Sequence, residues 1–149
     1  MRRTPALLAC ACTAAALLMA APAVASNAER QAIDVLNKVR HAHGLPSLRV
    51  SKSLNSSSGR YAKRMLRTDY FGHASHIQVA SGFRSAGETL AWHSGWHPQP
   101  RRTIRRWMGS PGHRAILLSP SFHWVGIGLA RGRLGSRMVT AWVAHVGTR

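Results

Sequence analysis

Apolar residues recur at helical spacing through most of this chain and give way to β-rich runs at its end. Ala28, Ala32, Val35, Leu36 and Val39 predict a first helix over 28–43, with one apolar face and Gly44 as its C-terminal cap. The histidines of that helix, His41 and His43, are two positions apart, point in different directions and read as surface residues. Residues 45–48 form a connector to a second helix. Ser51 can cap it, and Leu54, Ser58, Tyr61, Ala62 and Met65 mark its inner face. It runs out at Thr68 and Asp69, and residues 74–86 have the composition of a loop. Residues 94–100 read as another loop, which leaves His93, Trp96 and His97 exposed or lid-like. A third helix begins near Arg101. There Arg101, Arg102, Arg105 and Arg106 share one arc, and Ile104, Trp107 and Met108 share the opposite one. Residues 122–130 and 138–146 are rich in Val, Ile, Trp and Phe and read as strands, with 131–136 as their turn. Helices covering an antiparallel pair make an α+β domain.

The first 25 residues stand apart from this pattern. Arg2 and Arg3 precede an apolar stretch, and Ala23, Val24 and Ala25 form a small-residue cleavage site before Ser26. This is the layout of a secretory signal peptide, too short to act as a membrane anchor. Most of the apolar segment lies after Cys10, whereas a lipoprotein leader would have it before, so lipidation is not expected. The expected mature protein is secreted and extracellular, one domain over 26–149. Cys10 and Cys12 leave with the leader, so packing alone must hold the mature fold.

Charge narrows the partners. The sequence carries 21 basic and 4 acidic residues, a formal +17, which falls to +15 when the leader takes Arg2 and Arg3 with it. Anionic cell-surface polymers or lipids are the favoured partners, and export makes nucleic acid the least favoured. The arginine arc of the third helix is a solvated face that could also meet anionic lipid. The chain is expected to be a monomer.

Three residues carry candidate chemistry. Ser110 and Pro111 start a short helix, with the serine hydroxyl expected as N-cap, and place His113 in its first turn. The positive helix end disfavours imidazolium there, so His113 should be neutral and able to bind a metal or accept a proton. His73 sits just past the second helix beside aromatics. Glu88, one of two glutamates, lies between a glycine and an apolar run, where a half-buried carboxylate needs a partner such as histidine.

These residues fall within four ordered motifs: Phe71-Gly-His73, Gly87-Glu-Thr-Leu-Ala-Trp92, Trp107-Met-Gly-Ser-Pro-Gly-His-Arg114 and Val125-Gly-Ile-Gly128. Together they resemble the CAP superfamily (cysteine-rich secretory proteins, antigen 5 and plant pathogenesis-related proteins), also called SCP domains, in its compact bacterial form. The resemblance implies a three-layer α-β-α sandwich with an antiparallel central sheet and a cleft holding two histidines and two acidic residues. His73, Glu88 and His113 match three of these. Ser110 stands where animal and plant members carry the second glutamate, and Thr89 where an asparagine is usual. Trp107, Trp92, Phe71 and Ser110 are expected to support the cleft. The resemblance also implies sterol or another small hydrophobic molecule as a ligand class.

Two neutral histidines can hold Zn²⁺, with Glu88 as third ligand or as partner of a bound water. The His-Glu-x-x-His pattern of zinc proteases and the Gly-x-Ser-x-Gly elbow of serine hydrolases are both absent from the sequence. A ligand-binding extracellular module with a metal-capable His/His/Glu cleft is therefore preferred. A weak metal-dependent hydrolase of cell-wall or protein substrates is the alternative.

Overall fold

A computed structural model describes residues 26–77 and 82–149. The leader and its two cysteines lie outside the described residues. Helix α1 spans Asn27–Ala42, strand β1 Arg49–Val50, α2 Lys52–Arg67, β2 Ser85–Ser94, α3 Pro100–Met108, α4 Pro111–Leu117, β3 Trp124–Leu134 and β4 Arg137–Thr148. Local chemistry sets most of these ends. Ser26 and Glu29 form a capping box at the start of α1, and the Ser51 hydroxyl accepts from the Leu54 amide at the start of α2. Pro100 and Pro111 each occupy a first helical turn, where a missing N–H leaves nothing unpaired.

The strands make one sheet in the order β1-β3-β4-β2, antiparallel except for the two-residue parallel pairing of β1 with β3. Alternation along the strands sorts side chains into two cores. Val125, Ile127, Trp142, Ala144 and Val146 pack with Ile33 and Leu36 of α1, Ile104 and Trp107 of α3 and Leu117 of α4. On the other face, Leu90, Ala130 and Val143 pack with Ala62 and Met65 of α2. Helices therefore cover both faces, α1, α3 and α4 on one and α2 on the other, in the expected α-β-α sandwich.

Two expectations need correction. The turn between the last strands is Gly135 and Ser136 alone, and pairing continues through Leu134 and Arg137. Gly135 has φ +56°, the left-handed conformation that a tight hairpin uses, so residues 131–134 extend the strand instead of looping out. The second correction concerns His93, which is 3% exposed. It belongs to β2, where the alternation of Thr89, Ala91 and His93 turns it towards α3, and its Nε2 lies 2.9 Å from the Thr103 hydroxyl. Trp96 and His97, just beyond, are exposed as expected.

Candidate functional site

The site forms at one edge of the sheet. Among the described residues β2 pairs only with β4, with α4 packed on β2 and α2 packed on β4. Glu88 points from β2 into the α2 layer, directly across from His145 of β4. The loop after α2 brings His73 against Glu88, and the first turn of α4 brings His113 beside His73.

Glu88 is 4% exposed and fully engaged. Its Oε1 accepts from His73 Nδ1 at 2.9 Å and from the Ala74 amide at 3.2 Å. Its Oε2 accepts from His145 Nε2 at 3.0 Å. Burial alone would raise this carboxyl. The hydrogen bonds from His145, His73 and Ala74 outweigh that effect and hold it below the usual carboxylate range. An ionised Glu88 can only accept from Nδ1 of His73, so in the neutral ring the proton sits on Nδ1 and Nε2 is the lone-pair nitrogen. The His113 ring centre is 5.9 Å from that of His73. Burial first, and His73 second, push His113 below its ordinary value, towards the neutral form.

Among the described residues, no three His, Cys, Asp or Glu side chains converge as a ready-made metal set. His73 and His113 are the two imidazoles whose ring centres lie near enough to share one ion. Two imidazoles sharing one zinc through bonds of about 2.0–2.1 Å have ring centres about 5–6 Å apart. Glu88 then stands behind His73 as its orienting carboxylate, since both of its oxygens are already in use.

The supporting residues divide. Phe71 packs against the α2 core, and Trp107 is wholly buried in the other core; neither lines the described cavities. Half-buried Trp92 offers its carbonyl to the Arg106 guanidinium at 3.5 Å. Ser110 does not act as expected. It is the N-cap residue of α4, but its hydroxyl makes no capping bond, and only its carbonyl takes part, accepting from the Arg114 amide at 2.8 Å.

Ser57 and His145 belong to the site, and the sequence motifs do not point to them. His145 Nδ1 lies 2.7 Å from Ser57 Oγ, which also sits 3.0 Å from the Leu54 carbonyl. A signal is present, because His145 is the one ionisable side chain in the buried run of an otherwise apolar-rich strand and faces the same demand for a partner as Glu88. Ser57, His145 and Glu88 share the connectivity of a nucleophile, base and carboxylate. However, Ser57 lies inside α2, where the neighbouring backbone amides are spent on the helix and cannot serve as an oxyanion hole. The chain of bonds positions Glu88. A cavity of about 300 Å³ opens over it, and a neighbouring one of about 600 Å³ reaches His73 and Tyr70.

These groups make a pH prediction. His93 and His113 have folded-state values below 6.5, because burial disfavours their charged forms. The stability tied to their neutral forms is complete above 6.5 and is lost as pH falls through the lower folded values. Glu88 is also depressed, from 4.5, so its contribution is present above 4.5 and lost on further acidification. Urea midpoints should therefore fall in two stages between about pH 7.5 and 3.5, and Glu88→Gln should remove the lower one. An unchanged lower stage in that variant would show that another carboxyl carries it.

Comparison with known proteins places this geometry. The family model described as CAP, the cysteine-rich secretory protein family, matches residues 33–146. Protein YkwD of Bacillus subtilis is 27% identical over 117 residues, which cover 72% of this chain and 44% of YkwD, so the chain spans less than half of that relative. An extracellular SCP-domain protein of Bacillus anthracis superposes with a TM-score of 0.66 at 24% identity, covering 82% of this chain and 40% of that one. An outer surface protein of Borrelia burgdorferi gives 0.65 at 19% identity, covering 82% of this chain and 92% of that one. With the family match spanning most of the sequence and the same sandwich in its structural neighbours, this chain belongs to the CAP family of cysteine-rich secretory proteins.

Proposed function

We propose that this chain is a secreted bacterial CAP module that binds a ligand at the outer cell surface and holds a metal ion between His73 and His113. The observation that carries the reading is the pair of imidazoles 5.9 Å apart, one of them backed by a buried, fully hydrogen-bonded Glu88. His73 and His113 would supply the two nitrogen donors, and a Zn²⁺ ion held there would supply Lewis acidity to a bound water or ligand oxygen. Glu88, steadied by His145 and Ser57, keeps His73 in one tautomer. Secretion is supported by the leader-like residues 1–25 and by the extracellular description of the Bacillus anthracis neighbour. No described helix is long and apolar enough to cross a membrane.

Anionic polymers or lipids are the favoured partners, met through exposed cations on α2 and α3. A sterol or similar ligand suits the cavities less well, because Arg60, Lys63, Arg64 and Arg67 line the one above Glu88. The binding reading stands ahead of hydrolysis because Ser57 lies inside α2, where the neighbouring amides are spent on the helix, and because among the described residues no third His, Cys, Asp or Glu joins the two histidines as a metal set.

Thermal melts with and without Zn²⁺ test the metal site. Zinc at about a hundredfold excess over its dissociation constant should stabilise the native state by about 2.7 kcal/mol at about pH 7.5. The shift should shrink at about pH 5.5, because ligating imidazoles must be unprotonated. It should vanish in the double variant His73→Ala, His113→Ala. Persistence of the full shift in that variant would assign the effect to His41, His43, His97 or another surface histidine.

A further inference from the structure

One face of α2 carries more positive charge than the fold needs. Arg60, Lys63, Arg64 and Arg67 follow one another at the i, i+3, i+4, i+7 spacing of a single helix face, within about 10 Å of helix length. Among the described residues none of the four has a carboxylate at ion-pair distance. The acids are committed elsewhere: Glu29 to the Ser26 and Leu129 amides, Asp69 to the Gly135 amide, and Glu88 to its two histidines. Asp34 lies on α1, on the opposite face of the sheet. Like charges at i, i+4 weaken a helix, and this one contains two such pairs, Arg60 with Arg64 and Lys63 with Arg67.

α3 also presents four arginines, but their arc faces open solvent and lines none of the described cavities. The α2 cations all border the cavity of about 300 Å³ whose floor contains the buried polar groups of Ser57, His145 and Glu88. That volume is at the small end of ligand sites, which run from about 300 to 1,000 Å³, and suits a headgroup-sized molecule better than a polymer.

We infer that this cavity is a binding site for a small hydroxylated phosphomonoester, free or as a lipid headgroup. A phosphomonoester carries about −1.5 to −2 charges at pH 7, and its three oxygens match guanidinium forks. A single carboxylate would leave most of the α2 charge uncompensated. The phosphate sits at the rim among Arg60, Lys63, Arg64 and Arg67. The ligand hydroxyls turn inward to Ser57 Oγ, away from the negative charge of Glu88, which its own donors already hold in place. The site rests on the reading that anionic partners meet this chain through its cations, and it selects α2 over α3 as the element that does so. It does not require the metal.

The test is run on the full mature chain with a chelator present, so that zinc at His73 and His113 plays no part. Inorganic phosphate and glycerol 3-phosphate are titrated by calorimetry, and vesicles containing phosphatidic acid are tested in parallel. Wild type should bind glycerol 3-phosphate saturably at one site. The double variant Arg60→Gln, Arg64→Gln should weaken this by about tenfold or more, since hydrogen bonds to charged groups are the strong ones. The control Arg101→Gln, Arg105→Gln on α3 removes the same charge and should change binding by less than about twofold. The unfolding midpoint of the α2 variant should not fall, because the change relieves a repulsive pair. Competition between glycerol 3-phosphate and the vesicles identifies a lipid headgroup as occupant, and vesicle-independent binding identifies the free ester. Equal weakening by both variants, or no saturable binding by wild type, overturns the site. If only the α3 variant loses vesicle binding, the pocket fails while the broader reading of an anionic partner survives.

Discussion

Gly128→Ala should destabilise the protein by about 1–3 kcal/mol, and adding Gly126→Ala should remove most of its stability. Both glycines lie on β3 where α2 presses against the sheet. A Cβ on Gly128 would overlap the Gly59 amide nitrogen, and one on Gly126 would overlap the Asn55 nitrogen and the Leu54 carbonyl carbon, each at well under 3.0 Å. These neighbours are backbone, so relief requires the helix itself to move. The contact is also tied by polar bonds: the Ile127 amide donates to Asn55 Oδ1 at 3.0 Å, and the Ser58 hydroxyl donates to the Gly126 carbonyl at 2.9 Å. Moving α2 outward would stretch the Ser57–His145 bond and carry the His73 loop away from Glu88. The variant should therefore lose the zinc-induced melting shift as well as stability. Urea unfolding measures the first effect and melts with zinc the second. A Gly128→Ala midpoint equal to the parent's would mean that α2 is free to shift.

The same two glycines show what can be read from the sequence and what cannot. Val125-Gly-Ile-Gly128 is recognisable as a family motif, yet its physical reason, a helix backbone seated on a strand, appears only when α2 and β3 are brought together. Helix starts are legible where the signal is local, as at Ser51 and Pro111. Ser110 marks the limit of that logic. Its residue type and position suit an N-cap, but a cap needs a side-chain rotamer turned towards the helix, and the sequence does not specify one. His73, Glu88 and His113 can be named because they sit in motifs, although nothing local joins residues 15 and 25 positions apart. β2 is obscured because its ten residues mix Gly, Ser, Thr and Ala with few large apolar side chains. Without that strand, His93 reads as part of a loop and the pairing of Glu88 with His145 stays hidden. That pairing depends on strand register, which only the fold determines.

Arg40→Met should cost about 3–5 kcal/mol, the largest effect expected of any single side chain outside the glycine contact. Arg40 lies on α1 and is wholly buried, without a carboxylate partner among the described residues. Its guanidinium donates to four carbonyls: Pro46 at 3.0 Å, Leu117 at 2.7 Å, Ser119 at 3.1 Å and Phe122 at 3.5 Å. A buried cation is normally unfavourable, and desolvation does push this guanidinium below its ordinary value. An arginine titrates too high for that to remove its charge, so the carbonyls must hold it. Two of them, Leu117 and Ser119, lie at the C-terminal end of α4, the negative end of the helix dipole. Methionine would fill much of the volume but leave those oxygens without donors. Arg40→Lys would keep the charge yet lose the planar fork, and should fall between the two. Because α4 also carries His113, loosening its far end should reduce the zinc-induced melting shift in proportion to the lost stability. Urea midpoints and zinc melts of both variants measure this. If Arg40→Met unfolds at the parent's midpoint, water has replaced the guanidinium and the buried clamp contributes nothing to holding α4.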